Sequence, residues 1–192
     1  MANGCNDYLF MLAIWMVVSL LQVGMIEFEI PSAMQEPLEG VLEHNGMLRE
    51  YLYYAPDDLP AGAPLLVVLH GFTSSAARIM QYSGFNDLTE TQGFAVVYPQ
   101  GSIDQQDRTF WNVGYEFHQD LGVDDVGFIT NLVRELQKSY NLSDAHTYLT
   151  GMSNGGEMCY YLVCNRPGVF KAIAPVAATM VKHFFSGCAR EA

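Results

Sequence analysis

Positive charge is scarce in this sequence of 192 residues. Lys and Arg total 9 against 21 Asp and Glu, which gives a formal net charge of −12, and no basic patch interrupts this balance. Such a surface repels phosphates, so the composition argues against nucleic-acid binding. Charged residues of both signs reach only 16%, whereas hydrophobic residues make up 50%. The chain is therefore predicted to bury a sizeable core.

Cysteine is also sparse, with residues at positions 5, 159, 164 and 188 and no C-x-x-C pair. This spacing excludes a zinc ribbon and a thioredoxin-type redox pair, and no metal site is predicted. Cys159 and Cys164 fall on one predicted helix, where buried thiols are the favoured interpretation. A bridge from one of them to Cys188 is the alternative in an oxidising compartment.

The sequence lacks internal repeats and low-complexity tracts, so its length favours one domain. Residues 9–26 are almost wholly apolar, which predicts a signal peptide or a membrane anchor within residues 1–26. No Lys or Arg precedes the run, and a buried core helix is a third possibility. Residues 27–46 are predicted to form a linker or first hairpin, and residues 47–192 a partial α/β domain.

Short apolar runs alternate with segments of helical pattern from residue 47 onward. This order predicts an α/β fold, a mainly parallel central sheet with helices on both faces. The predicted strands cover residues 47–55, 65–69, 94–98, 147–149 and 172–177, and the predicted helices cover residues 75–82, 85–92, 124–138 and 157–164. Asp124 and Asp125 are interpreted as capping residues of the third helix.

The segment Gly151-Met152-Ser153-Asn154-Gly155 lies between a predicted strand and a predicted helix. The pattern G-x-S-x-G in that setting is typical of the nucleophile elbow of α/β-hydrolases. A serine on a tight turn needs small neighbours two residues away on each side, which the two glycines supply. Ser153 is therefore the candidate nucleophile.

A second loop, His70-Gly71-Phe72, follows the apolar strand 65–69. Loops at the carboxyl ends of central strands build sites in open α/β sheets. The backbone N–H groups of Phe72 and Asn154 are the candidate oxyanion-hole donors. His70 is interpreted as a residue that orients this loop, in preference to a catalytic base.

Aromatic residues are dense between positions 109 and 120. Trp111 and Tyr115 are candidates to line a substrate cleft. Packing of this loop on a face of the sheet is the alternative interpretation.

Several short motifs occur in an order that resembles one esterase family. The motifs are Tyr98-Pro99-Gln100-Gly101, Phe110-Trp111-Asn112-Val113-Gly114, Val123-Asp124-Asp125-Val126-Gly127-Phe128, Thr150-Gly151-Met152-Ser153-Asn154-Gly155-Gly156 and Ala172-Ile173-Ala174-Pro175-Val176-Ala177. The family includes poly(3-hydroxybutyrate) depolymerases, feruloyl esterases and acetylxylan esterases. The resemblance covers about residues 48–180 and implies an extracellular, cofactor-free serine carboxylic-ester hydrolase. A membrane-anchored form facing away from the cytoplasm is the second choice.

The same resemblance exposes a gap, because the fold orders its triad as Ser, then Asp or Glu, then His. After Ser153 the sequence has no Asp, only Glu157, Glu191 and His183, and none of these is a convincing partner. The triad Asp and His are therefore expected to be missing through truncation at the C-terminus, so that the chain alone is poorly soluble and nearly inactive. The expected substrate is a neutral ester, either a polyester or a plant cell-wall ester, and no protein partner is implied. The alternative functions are an inactive hydrolase-fold binding module and a peptidase.

Overall fold

The computed structural model describes residues 35–182 together with Phe184 and Cys188. The predicted signal peptide or anchor (residues 1–26), His183 and Glu191 lie outside these residues. Within the described part of the chain, no helix is both long and apolar enough to cross a bilayer.

The described residues form eight strands, four α-helices and one 3₁₀ helix. The strands are β1 (Leu38–His44), β2 (Met47–Tyr54), β3 (Leu65–Leu69), β4 (Ala95–Pro99), β5 (Ser102–Ile103), β6 (Thr109–Phe110), β7 (Thr147–Met152) and β8 (Ala172–Val176). The helices are α1 (Ala76–Ser83), α2 (Phe85–Gln92), α3 (Asp125–Ser139) and α4 (Asn154–Asn165), and the 3₁₀ helix spans Glu116–Leu121. Strand β1 lies within the segment predicted to be a linker or first hairpin.

The main sheet has the strand order β1-β2-β4-β3-β7-β8. Strands β4, β3, β7 and β8 pair in parallel, whereas β1 and β2 form an antiparallel hairpin that joins β4. The small strands β5 and β6 form a separate two-stranded antiparallel sheet. This arrangement confirms the predicted α/β class and its mainly parallel sheet.

Hydrophobic clusters cover both faces of the sheet, because neighbouring residues on a strand point to opposite sides. Val67 of β3 packs in the cluster that includes Phe128 of α3 and Met158 of α4. Val68 packs in the cluster that includes Ile79 of α1. Helices therefore lie on both faces, as predicted, and each buried aliphatic side chain contributes about 1.5–3 kcal/mol.

The start of α3 corrects one sequence prediction. Asp124 is the N-cap residue, and its carboxylate accepts a hydrogen bond of 2.8 Å from the Gly127 N–H. Asp125, interpreted as a second capping residue, instead lies buried against Arg49 at 2.7 Å. Arg49 is 76 residues away on β2, so local capping rules could not reveal this partner.

The prediction that Cys159 and Cys164 are both buried thiols also needs correction. Cys164 at the end of α4 forms a disulfide with Cys188. Cys159 remains a free, buried thiol, and its Sγ lies 3.2 Å from the Gly155 carbonyl oxygen one helical turn earlier.

Candidate active site

Ser153 occupies a sharp turn between β7 and α4. Its backbone has φ 53° and ψ −117°, a region that costs a residue with a side chain about 1–3 kcal/mol. Its N–H donates to the Val176 carbonyl at 2.9 Å, and its own carbonyl accepts from the Glu157 N–H at 2.8 Å. These bonds hold the turn, and Ser153 is exposed to solvent.

The glycines around Ser153 are required by close backbone approaches. A Cβ placed on Gly151 would lie 2.5 Å from the Gly155 carbonyl oxygen, and one on Gly155 would collide with the carbonyl of His70. A Cβ on Gly156 would lie 2.6 Å from that of Ala178. Strand β7, helix α4 and the end of β3 can therefore meet around the serine only because these side chains are absent.

The loop after β3 borders the serine. A Cβ on Gly71 would lie 3.6 Å from the Ser153 Cβ, so the backbone of this loop passes beside the candidate nucleophile. Among the described residues, no acceptor hydrogen-bonds the N–H of Phe72, the next residue. Asn154 is the first residue of α4, where backbone N–H groups lack partners within the helix. Both candidate donors thus belong to segments that flank Ser153.

His70 is completely buried beneath the loop. Its Nε2 accepts the Gly101 N–H at 2.9 Å, which assigns the ring proton to Nδ1. Nδ1 then donates to the Gly71 carbonyl at 2.8 Å. Burial lowers the pKa of His70, so the ring stays neutral at pH 7. Both ring nitrogens are thus engaged with backbone groups, and the loop-orienting role of His70 stays a prediction.

Trp111 does not line an open cleft, contrary to the prediction. It has no exposed surface, because its indole N–H donates to the His70 carbonyl at 2.8 Å and its backbone pairs with the Asn154 side chain. For Trp111, the alternative interpretation, packing of the loop in the interior, is therefore the correct one.

Tyr115 is half-buried, and its hydroxyl donates to Glu157 at 2.8 Å. Burial, followed by this carboxylate, raises the pKa of Tyr115 to about 12. Its ring stacks on Phe117, with centroids 5.2 Å apart, and 69% of Phe117 is exposed. Glu157 lies in the first turn of α4, as expected of a residue that suits the helix dipole.

None of the four described histidines hydrogen-bonds the Ser153 hydroxyl. His70 is engaged as above, and His44 bonds to Asp124 and Asn131. His146 bonds to Ser143. Both ring nitrogens of the buried His118 lack hydrogen-bond partners among the described residues, and its Nε2 lies 4.0 Å from the Asp104 carboxylate. Nor do these residues contain a group of three His, Cys, Asp or Glu placed to hold a metal ion.

The parallel strands and the elbow after β7 define an α/β-hydrolase fold. Within that class, the chain belongs to the esterase PHB depolymerase family, whose sequence model matches residues 48–188. This confirms the resemblance seen in the ordered motifs.

Curated relatives carry several names. A poly(3-hydroxyalkanoate) depolymerase C from Paucimonas lemoignei is 32% identical over 65% of this chain and 30% of its own length. The putative esterase NocK from Nocardia uniformis subsp. tsuyamanensis is 33% identical over 70% of this chain and 39% of its own length. A bifunctional acetylxylan esterase/xylanase from Neocallimastix patriciarum is 27% identical over 71% of this chain and 19% of its own length. The chain thus spans well under half the length of each of these relatives.

Solved structures support the fold. An acetyl xylan esterase from Aspergillus awamori superposes with a TM-score of 0.66 at 18% identity, over 79% of this chain and 55% of that one. An S-formylglutathione hydrolase from Staphylococcus aureus superposes with a TM-score of 0.60 at 16% identity, over 74% of this chain and 57% of that one.

Proposed function

We propose that this protein is a carboxylic-ester hydrolase that acts through an acyl-enzyme on Ser153. The observation that carries the proposal is the exposed residue Ser153, held in a strained turn beside the loop after β3. Turns of this kind present a nucleophile at the carboxyl ends of the central strands. Membership of the esterase PHB depolymerase family supports the same reaction class.

In the proposed reaction, the Ser153 oxygen attacks the ester carbonyl carbon as its proton passes to a base. The tetrahedral intermediate collapses, the bond to the alcohol oxygen breaks, and the alcohol leaves with a proton. Water then attacks the acyl group, which releases the acid and returns the proton to the Ser153 oxygen.

The oxyanion of each tetrahedral intermediate would accept hydrogen bonds from the N–H groups of Phe72 and Asn154. The positive end of the α4 dipole would further stabilise the negative charge on this oxygen. A donor of this kind is worth about 3–4 kcal/mol of barrier, so the pair accounts for a large share of the expected rate enhancement.

A neutral ester is the proposed substrate, since a surface with a net charge of −12 repels polyanions. The names of relatives include acetylxylan and poly(3-hydroxyalkanoate) as substrates of those proteins. Both are esters, so the acyl-enzyme route is common to the two substrate types.

The proposed location is outside the cytoplasm. The apolar segment at residues 9–26 and the Cys164–Cys188 disulfide both favour export to an oxidising compartment.

The test is labelling of the 192-residue chain by a fluorophosphonate probe. Turnover of p-nitrophenyl acetate is the second readout and is expected to be low, since no described histidine hydrogen-bonds Ser153. We expect labelling at Ser153 that Ser153→Ala abolishes and Ser143→Ala preserves, because Ser143 precedes the opposite end of β7. Absence of both labelling and turnover in a folded chain would contradict the proposal.

The second candidate is a hydrolase-fold module that binds an ester polymer without cleaving it. It is favoured by the absence of any described histidine that hydrogen-bonds Ser153. Retained binding to polyhydroxybutyrate film or xylan, with no labelling, would select this candidate. Turnover of peptides but not esters would instead indicate a peptidase.

A further inference from the structure

The two candidate oxyanion donors come from separate elements. Phe72 belongs to the loop after β3, and Asn154 begins α4 after β7. Both N–H groups must lie about 2.7–3.1 Å from one developing oxygen to stabilise it. Something must therefore fix the loop and the helix relative to each other, and one residue contacts both.

Trp111 pairs with Asn154 through its backbone. The Trp111 N–H donates to the Asn154 Oδ1 at 2.7 Å, and the Asn154 Nδ2 donates to the Trp111 carbonyl at 3.2 Å. Both residues are buried, where hydrogen bonds are costly to break without replacement. This reciprocal pair leaves the backbone N–H of Asn154 uninvolved.

The Trp111 side chain reaches the other element. Its indole N–H donates to the His70 carbonyl at 2.8 Å, and its ring lies 5.0 Å from the His70 ring. His70 in turn bonds to the Gly71 carbonyl, directly before Phe72. Trp111 is thus two hydrogen bonds from the peptide that carries the Phe72 N–H.

The backbone next to Trp111 is anchored through Asn112, the following residue. The Asn112 N–H donates to the Asp125 carboxylate at 2.7 Å, and Arg49 neutralises that carboxylate. Asp125 and Arg49 are both buried. The backbone at positions 111 and 112 therefore has little freedom to shift.

We infer that Trp111 is a positioning residue of the ester hydrolysis proposed above, a clamp that keeps the Phe72 and Asn154 N–H groups aimed at one oxyanion. The inference rests on that proposed function. It assigns Trp111 no contact with substrate, and it differs from simple core packing because it depends on named hydrogen bonds.

Two variants separate the clamp from bulk packing. Trp111→Phe removes the indole N–H and keeps an aromatic ring. Asn154→Ala removes the side-chain pair and keeps the backbone N–H that would face the oxyanion. Tyr98→Phe is the matched control, because it deletes a buried aromatic donor on the opposite face of the sheet, where Tyr98 bonds to Asn86.

On p-nitrophenyl acetate, we expect each clamp variant to lower kcat by roughly 100-fold with KM changed less than about threefold, because small misplacements of catalytic groups carry penalties of that size. Tyr98→Phe should keep wild-type kcat. The double variant should lose little more than the larger single loss, since both substitutions break one clamp. Unchanged kcat in the clamp variants, or a loss that appears mainly in KM, would overturn the inference.

Amide hydrogen exchange of the same 192-residue chains tests the clamp even if no ester is turned over. We expect faster exchange at residues 71–73 and 153–156 in both clamp variants, with α3 and β4 unchanged. Wild-type exchange at those amides would overturn the clamp irrespective of activity. If the wild-type chain hydrolyses no ester, the proposed function fails separately. If Trp111→Phe does not fold, Asn154→Ala decides alone.

Discussion

Arg49 on β2 and Asp125 at the start of α3 form an ion pair of 2.7 Å whose side chains are 6% and 0% exposed. The Arg49 guanidinium also lies 4.1 Å above the Phe128 ring. The pair joins the first hairpin to α3, and through Asn112 it supports the loop that carries Trp111. It therefore couples strand β2 to the candidate active site.

Breaking this pair from one side should be costly. Arg49→Met leaves a buried carboxylate without its counter-charge, and we expect a loss of about 3–5 kcal/mol in the free energy of unfolding. Urea denaturation measures this loss. Arg78→Met, which removes an exposed arginine on α1, serves as the control and should change stability by less than about 0.5 kcal/mol. Equal effects of the two substitutions would show that the buried pair contributes no special stability.

The backbone at Ser153 leads to a second prediction. Ser153→Gly should relieve the conformational cost of φ 53° and raise the free energy of unfolding by about 1 kcal/mol, although the candidate nucleophile is lost. Ser153→Ala retains a Cβ, so it should lose the fluorophosphonate label without any gain in stability. Urea denaturation of the two variants side by side tests this, and a Gly variant no more stable than the Ala variant would contradict it.

His118 leads to a prediction about pH. This side chain is buried, and burial lowers the pKa of His118. Asp104 raises this pKa and Arg108 lowers it, and both effects are smaller than that of burial. The folded state therefore resists protonation of this ring, and the unfolded chain binds the proton more readily. His70 behaves in the same way because burial lowers its pKa too. Stability should be fully present above about pH 6.5 and fall as the pH drops below that value.

His118→Phe should flatten this fall and leave the contribution of His70. The ring packs against Phe110 with centroids 3.9 Å apart, so an aromatic replacement preserves the packing and removes two buried nitrogens that lack hydrogen-bond partners among the described residues. Urea denaturation between pH 5 and pH 8 measures the slope. A variant whose stability falls as steeply as that of the wild type would show that His118 does not titrate in this range.

Local signals predicted the elements of this fold, but distant contacts were out of their reach. A few neighbouring residues were enough to predict strand Leu65–Leu69 and the turn around Ser153, since apolar continuity and glycine spacing are local properties of the sequence. Trp111 shows the limit, because aromatic density does not distinguish a cleft wall from a buried clamp. The Arg49–Asp125 pair joins residues that are far apart in sequence. Asp125 directly follows Asp124, which does cap the helix, so the sequence pattern suggested the same role for both.

The disulfide between Cys164 and Cys188 leads to the last prediction. It closes a loop with a sequence separation of 24, and restricting the unfolded chain over such a loop contributes about 3 kcal/mol in the chain-entropy treatment. Reduction with dithiothreitol should therefore lower the urea midpoint of the wild-type chain. Cys164→Ser should show the lower midpoint with or without reductant. Cys159→Ala serves as the control, because this thiol forms no disulfide, so its midpoint should still drop on reduction. A wild-type midpoint that reductant leaves unchanged, in a chain whose mass confirms the bond before treatment and its loss afterwards, would show that the bond adds no stability.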